Sequence, residues 1–300
     1  MGRPLYEASA AARAVFDAAD DALNEPFSRL VFEGPAEELT QTANAQPAIL
    51  TASLAALAAL REAHPELPLP RFAAGHSLGE YSALVAAGAL DLKAAVRLVR
   101  LRGEAMQRAV APGIGAMAAI IGADAAVVEE LCAEVRAELE GRVVSAANYN
   151  APGQIVIAGH ADAVQRASQL AGARRLKAVP LKVSAPFHCS LMAPAADAVE
   201  RALLDVAFET PQFPVVSNVE ALPNEDPRAM PALLVRQVAS PVRWQASMEW
   251  LVQQGVRQAL EIGPGKVLLG LARKAAPELD VRPMFEPSEL AAAGSRPEIA

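Results

Sequence analysis

A chain of 300 residues that is 53% hydrophobic and 20% charged can build a substantial core, arranged as one large domain with a smaller insertion. Aromatic residues make up 4%, so that core must be mostly Ala, Val and Leu, which suits helices lying close on a parallel sheet. A net charge of -7 excludes nucleic acid as the main partner, because phosphate binding needs a basic footprint.

The first residues are not expected to act as a leader peptide, because acidic Glu7, Asp17, Asp20 and Asp21 soon follow them. Residues 5–22 read as an Ala-rich helix with Val15 and Phe16 on one side, and 41–63 as a second helix. The longest apolar stretch, 49–60, is too short to span a bilayer and holds Thr51 and Ser53, so no membrane association is expected. A proline-punctuated loop over 65–70 leads to a short strand at 72–74, a tight turn at 75–79 and a helix over 80–87. Asp91 is placed to cap a long helix over 92–110.

The pattern changes after Pro112-Gly113. A strand at 116–121, a helix at 124–140, strands at 143–148 and 154–158, a helix at 162–171 and a strand at 176–183 follow. That β-α-β-β-α-β order is the ferredoxin-like split pattern. Alternating strands and helices then return: strands at 213–216 and 258–262, helices at 231–238 and 244–254. Residues 291–300 read as a loose tail. The two cysteines, Cys132 and Cys189, sit in no context that pairs them, so a reduced, cytoplasmic chain is expected. The fold class is α/β. A large parallel-sheet subdomain spans 1–112 and 181–300, and a ferredoxin-like subdomain spans 113–180.

Gly75-His76-Ser77-Leu78-Gly79 fits the G-x-S-x-G nucleophile elbow. The strand before it and the helix after it give the required context. The turn lifts the Ser77 hydroxyl from the sheet, and the helix start turns the Leu78 amide toward a developing oxyanion. A serine nucleophile needs a base. His64 lies in a polar loop, His160 precedes a small-subdomain helix, and His76 adjoins Ser77 on the turn, where neighbours point apart. By elimination the base is His188. Arg102 lies at the edge of the apolar face formed by Leu92, Ala95, Val96, Val99 and Met106. From spacing alone, a role in holding a carboxylate through two parallel bonds and a role as a snorkelling or internally paired arginine weigh about equally.

Four ordered motifs then carry a resemblance. Gly75-His76-Ser77-Leu78-Gly79-Glu80-Tyr81-Ser82-Ala83-Leu84 resembles the nucleophile motif of malonyl-CoA:acyl carrier protein transacylases. Asn148-Tyr149-Asn150-Ala151-Pro152-Gly153-Gln154-Ile155-Val156-Ile157-Ala158-Gly159 is similar to a second signature of that family, and Ala185-Pro186-Phe187-His188-Cys189 and Glu261-Ile262-Gly263-Pro264-Gly265-Lys266 to two more. The resemblance implies an α/β-hydrolase-like large subdomain with a ferredoxin-like insertion, Ser77 as nucleophile and His188 as base. It implies that the main-chain carbonyl of Gln237 orients the histidine in place of a triad carboxylate. It assigns Arg102 to the malonyl carboxylate, His76 to its support, and Phe187 to the pattern of malonyl-selective members.

The implied reaction is ping-pong transfer of malonyl from malonyl-CoA to the phosphopantetheine thiol of acyl carrier protein, in fatty-acid biosynthesis, without cofactor or metal, by a monomer. The carrier protein would dock on a basic patch drawn from Arg174, Arg175, Lys177, Lys182, Lys266 and Arg273. Alternatives are a transacylase subunit of malonate decarboxylase, a serine thioesterase or esterase, and a non-catalytic binding protein. The family opens with a strand and a Gly-Gln-Gly-Ser-Gln loop ahead of the segment matching Gly2-Arg3-Pro4-Leu5-Tyr6. This sequence starts after that loop, so the 300-residue form is expected to fold poorly and to transfer slowly. The resemblance implies that the first glutamine of that loop supplies the second oxyanion donor, and losing one such donor typically costs about 10²–10³ in kcat.

Overall fold

The computed structural model describes residues 1–293. Its first predicted helix is two, Arg3–Ala8 and Ala10–Leu23. Ser9 causes the break: its backbone is extended, and its hydroxyl accepts from the Ala12 amide at 3.0 Å, capping the second helix. The next long helix, Thr42–Ala63, is by length and composition able to cross a membrane, but 72% of its apolar window is buried inside the protein. Leu50, Ala52, Ala55 and Ala56 lie wholly within the core. This helix packs against Leu92–Arg108 and Ala10–Leu23. Asp91 caps Leu92–Arg108 by accepting from the Ala94 amide at 2.9 Å.

Strand β1, Ala73–Ala74, is followed by the helix Leu78–Ala86. Strands β2 (Gly115–Ile121), β3 (Val144–Ala151), β4 (Gln154–His160) and β5 (Lys177–Pro180) form one antiparallel sheet in the order β3-β4-β2-β5. The helices Ala125–Glu138 and Ala161–Ala173 cover one face, burying Val128, Leu131, Val135 and Ala167. This is the arrangement a split β-α-β-β-α-β chain adopts. The other face carries Met117, Ala147, Val156 and Ala158, which pack on Cys189, Phe187 and Leu191.

Strands β6 (Val215–Val216) and β7 (Pro223–Asn224) complete a small sheet, with β1 parallel to β6. Strands β8 (Gln258–Ile262) and β9 (Asp280–Met284) form a parallel pair. Each of β1 and β8 therefore has a strand neighbour on one side. The helices Phe27–Glu33, Ala193–Leu203 and Val267–Ala275 fall where the sequence pattern gave no element. The predicted tail begins as the end of the helix Pro287–Ala291, and residues 294–300 lie outside the described residues. Both cysteines are free and buried.

The sheet of β2–β5 is joined to the rest through backbone as well as side chains. The Tyr149 amide donates to Val242 O, and the Val242 amide to Ala147 O, both at 2.9 Å. Val242 thus extends the free edge of β3 and fixes the sheet beside the turn at residues 75–79.

Candidate active site

The turn between β1 and the Leu78–Ala86 helix is drawn very tight. A Cβ on Gly75 would lie 1.9 Å from Gly79 O, so only glycine lets the strand end meet the helix start. Ser77 holds φ 51° and ψ −105°, a conformation non-glycine residues rarely adopt. Asn218 keeps the turn in that state. Its Oδ1 accepts from the Ser77 amide at 2.6 Å, and its Nδ2 donates to Gly75 O at 2.7 Å. The Leu78 amide opens the helix without an acceptor among the described residues, as expected of a first-turn N–H.

His188 also has a left-handed backbone, φ 59°. Its Nε2 lies 2.7 Å from Ser77 Oγ, and its Nδ1 lies 2.8 Å from Gln237 O. A carbonyl can only accept, so the proton sits on Nδ1 and the Nε2 lone pair faces the serine hydroxyl. The ring is 3% exposed. Burial first, and then the nearby Arg102 charge, push its pKa down to about 3. His188 is therefore neutral in the resting site, with its Nε2 lone pair directed at the serine hydroxyl.

Arg102, 1% exposed, completes the centre. Its Nη2 donates to Ser77 Oγ at 3.0 Å and to Gln237 Oε1 at 2.9 Å, and its Nη1 donates to Gln46 Oε1 at 2.6 Å. The guanidinium carbon lies 5.4 Å from the centre of the Tyr81 ring, and Nε is buried without a protein partner. A site at the edge of an apolar face is the expectation from spacing; in the fold the helices that carry Gln46, Tyr81 and Gln237 close over the group. His76 turns away from Ser77. Its Nε2 meets Asn150 Oδ1 at 2.9 Å, its ring leans on Trp244, and burial lowers its pKa. Phe187 lies half-buried where the main core meets the β2–β5 sheet.

The structure thus brings Ser77, Leu78, His188, Gln237 and Arg102 together, with His76 and Phe187 beside them. Four more residues belong to the same network and escape sequence reasoning: Gln46, Glu80, Asn150 and Asn218. Gln46 could have been flagged as an amide inside an apolar helix, and Glu80 as a carboxylate in the nucleophile motif. Asn218 carries no local signal. Gln237 does more than lend its carbonyl. Its Nε2 donates to Ser77 O at 2.9 Å and to Glu80 Oε2 at 2.7 Å.

A serine hydroxyl touching both a neutral imidazole and a buried guanidinium suits acyl transfer from a donor that carries a carboxylate. Comparison with known proteins agrees. The acyl transferase domain family matches residues 1–287. The malonyl CoA-acyl carrier protein transacylase of Bacillus subtilis (strain 168) is 48% identical over 293 residues, covering 97% of this chain and 90% of the relative. That of Escherichia coli (strain K12) is 48% identical over 281 residues, covering 93% and 89%. Among solved structures, the acyl-carrier-protein-S-malonyltransferase of Bartonella henselae superposes with TM-score 0.93 at 47% identity, covering 98% of this chain and 93% of its own. A malonyl-transacylase in complex with its type II PKS acyl-carrier protein gives TM-score 0.93 at 44% identity, covering 98% and 94%. The chain belongs to the acyl transferase family and, within it, to the malonyl CoA-acyl carrier protein transacylases.

Proposed function

We propose that this chain transfers malonyl from malonyl-CoA to the phosphopantetheine thiol of acyl carrier protein through an ester on Ser77. One observation carries the reading: Ser77 Oγ is bonded to both His188 Nε2 and Arg102 Nη2. A plain esterase has no use for a buried guanidinium at its nucleophile, whereas a malonyl group brings a carboxylate to it.

In the first half-reaction His188 Nε2 takes the Ser77 proton as Oγ attacks the thioester carbon. The oxyanion forms in front of the Leu78 amide and the helix N-terminus. The carbon–sulfur bond breaks, and the histidine passes its proton to the CoA thiolate. In the second half the carrier thiol gives its proton to His188 and attacks the ester. Oγ leaves and recovers a proton. Gln237 O stabilises the transient imidazolium through Nδ1–H, the role a triad carboxylate plays elsewhere. Atoms balance in both halves without a cofactor or a metal. Arg102 holds the malonyl carboxylate, with His76 and Phe187 lining the acyl end.

This reading places the enzyme in the cytoplasm, in fatty-acid synthesis. The unit of β2–β5, taken as subdomain 113–180, borders the nucleophile turn through the bond between Asn150 and His76. Initial rates with malonyl-CoA and carrier protein both varied test the sequence of steps. Parallel double-reciprocal lines are expected for a ping-pong enzyme. Intersecting lines would mean direct transfer in a ternary complex and would remove the Ser77 ester from the pathway.

A further inference from the structure

Among the described residues, one carboxylate and one guanidinium are fully enclosed, Glu80 at 3% and Arg102 at 1% exposure. They form no direct ion pair. Gln237 stands between them: its Nε2 donates to Glu80 Oε2 at 2.7 Å, and its Oε1 accepts from Arg102 Nη2 at 2.9 Å. The Asn218 amide donates to the same Glu80 oxygen at 3.1 Å. Against Glu80 lies a cavity of about 10 Å³, lined also by Ser217 and Asn224, which is room for a single water. Ser217 Oγ is buried without a protein partner.

We propose, resting on the malonyl-transfer reading, that Glu80 is a positioning residue that couples the binding of a carboxylate-bearing acyl group to the uptake of a proton. It balances Arg102 through Gln237 in the resting enzyme and takes up one proton when a malonyl carboxylate arrives on the guanidinium. One buried cation cannot hold two ionised carboxylates without leaving a charge uncompensated. The incoming carboxylate bonds Arg102 directly, so Glu80, one residue further away, is the one that becomes neutral.

The charged group acting on Glu80 through space is Arg102, from the Leu92–Arg108 helix. Tyr81 lies beside it on its own helix, with its hydroxyl pushed up to about 12 by burial. His188, reached through Gln237, is neutral. From the Met230–Ala239 helix and β6, Leu234 and Val215 face it as apolar groups. Burial raises the Glu80 pKa to about 7, against the pull of Gln237, Asn218 and Arg102, so the residue exchanges its proton near neutrality. That proton comes from solvent. The transfer itself moves the serine proton to the CoA thiol and consumes none.

The test is calorimetric loading of the wild-type enzyme with malonyl-CoA and with acetyl-CoA, in buffers of different ionisation heat. The acetyl run cancels any proton lost by the CoA thiol. Malonyl should take up about half a proton per site at pH 7 and nearly one at pH 8, and acetyl none. The KM for malonyl-CoA should rise up to about tenfold per unit above pH 7. Glu80→Gln keeps an oxygen acceptor for Gln237 and Asn218, so it should abolish both the uptake and the slope while acetyl loading keeps its pH profile. Malonyl loading of Ser77 without proton uptake, or a Glu80→Gln enzyme with the wild-type slope, overturns the inference while leaving malonyl transfer intact. If Glu80→Gln does not fold, the malonyl and acetyl runs on the wild type decide alone. If no malonyl reaches Ser77 at all, the function reading fails first and the inference falls with it.

Discussion

Arg102 Nη2 reaches Ser77 Oγ and Gln237 Oε1 at once, so in the proposed reaction one side chain links acyl recognition to the reacting atom. Arg102→Ala should therefore separate substrates. Malonyl loading should fall about ten- to a hundredfold, the value of a desolvated charge-assisted pair, while acetyl loading holds or improves. Equal losses for both acyl groups, measured as loading rates, would make the guanidinium structural. At this scale Ser77 was legible because the elbow is a local motif, and His188 because its three competitors are badly placed. The spacing of Arg102 left its role open, and only the resemblance pointed to the carboxylate. Glu80 and Gln46 show in the sequence only as polar groups within a motif and an apolar helix, and Asn218 not at all. Asn218 meets Ser77 across 141 residues of chain and Gln46 meets Arg102 across 56, and no window of sequence carries such a pairing.

At the scale of elements, local signals worked where they were chemical and failed where they were tertiary. Asp91 caps its helix as its position implies, and the 22-residue helix Thr42–Ala63 follows its apolar pattern. Ser9 caps the helix Ala10–Leu23 from inside an Ala-rich run, where no change of apolar pattern marks the break. The strands beside the elbow shrink to two paired residues each, β1 and β6, because pairing depends on partners that a single segment does not reveal. Helix contact sets the arginine's position. A Cβ on Gly103 would lie 2.5 Å from Thr42 O and 2.8 Å from Ala43 Cα, so the Leu92–Arg108 helix meets Thr42–Ala63 backbone to backbone. Gly103→Ala should force these helices apart, costing about 1–3 kcal/mol as overpacking does. It should also loosen the Arg102–Gln46 bond, so malonyl loading falls with stability. A thermal melt and a loading assay check this together, and an unchanged Tm would show that the contact yields freely.

At the scale of the molecule, the ferredoxin-like order of β2–β5 was readable because strands and helices alternate within 70 or so residues of local pattern. How that unit sits on the rest was not readable, since it rests on Val242 bonding β3 and on Cys189, Phe187 and Leu191 packing on the sheet. Carrier-protein docking belongs to this scale too. Of six candidate cations, Arg174 is engaged by Glu130 and Glu134, and Lys266 by Glu289. Lys177 and Lys182, on and just beyond the edge strand β5, are exposed and form no ion pair among the described residues. Reversing both to Glu should raise the KM for an acidic carrier protein several-fold and leave loading by malonyl-CoA unchanged. If both half-reactions respond alike, docking lies elsewhere.

The central claim is that Ser77 carries the acyl group between donor and acceptor. Intact-mass measurement after brief incubation with malonyl-CoA tests it most directly, followed by peptide mapping of the product and discharge with carrier protein. The account predicts one malonyl adduct per chain, mapped to Ser77, absent from Ser77→Ala and cleared when holo carrier protein is added. An adduct that persists in Ser77→Ala, or that maps to another residue, would contradict it.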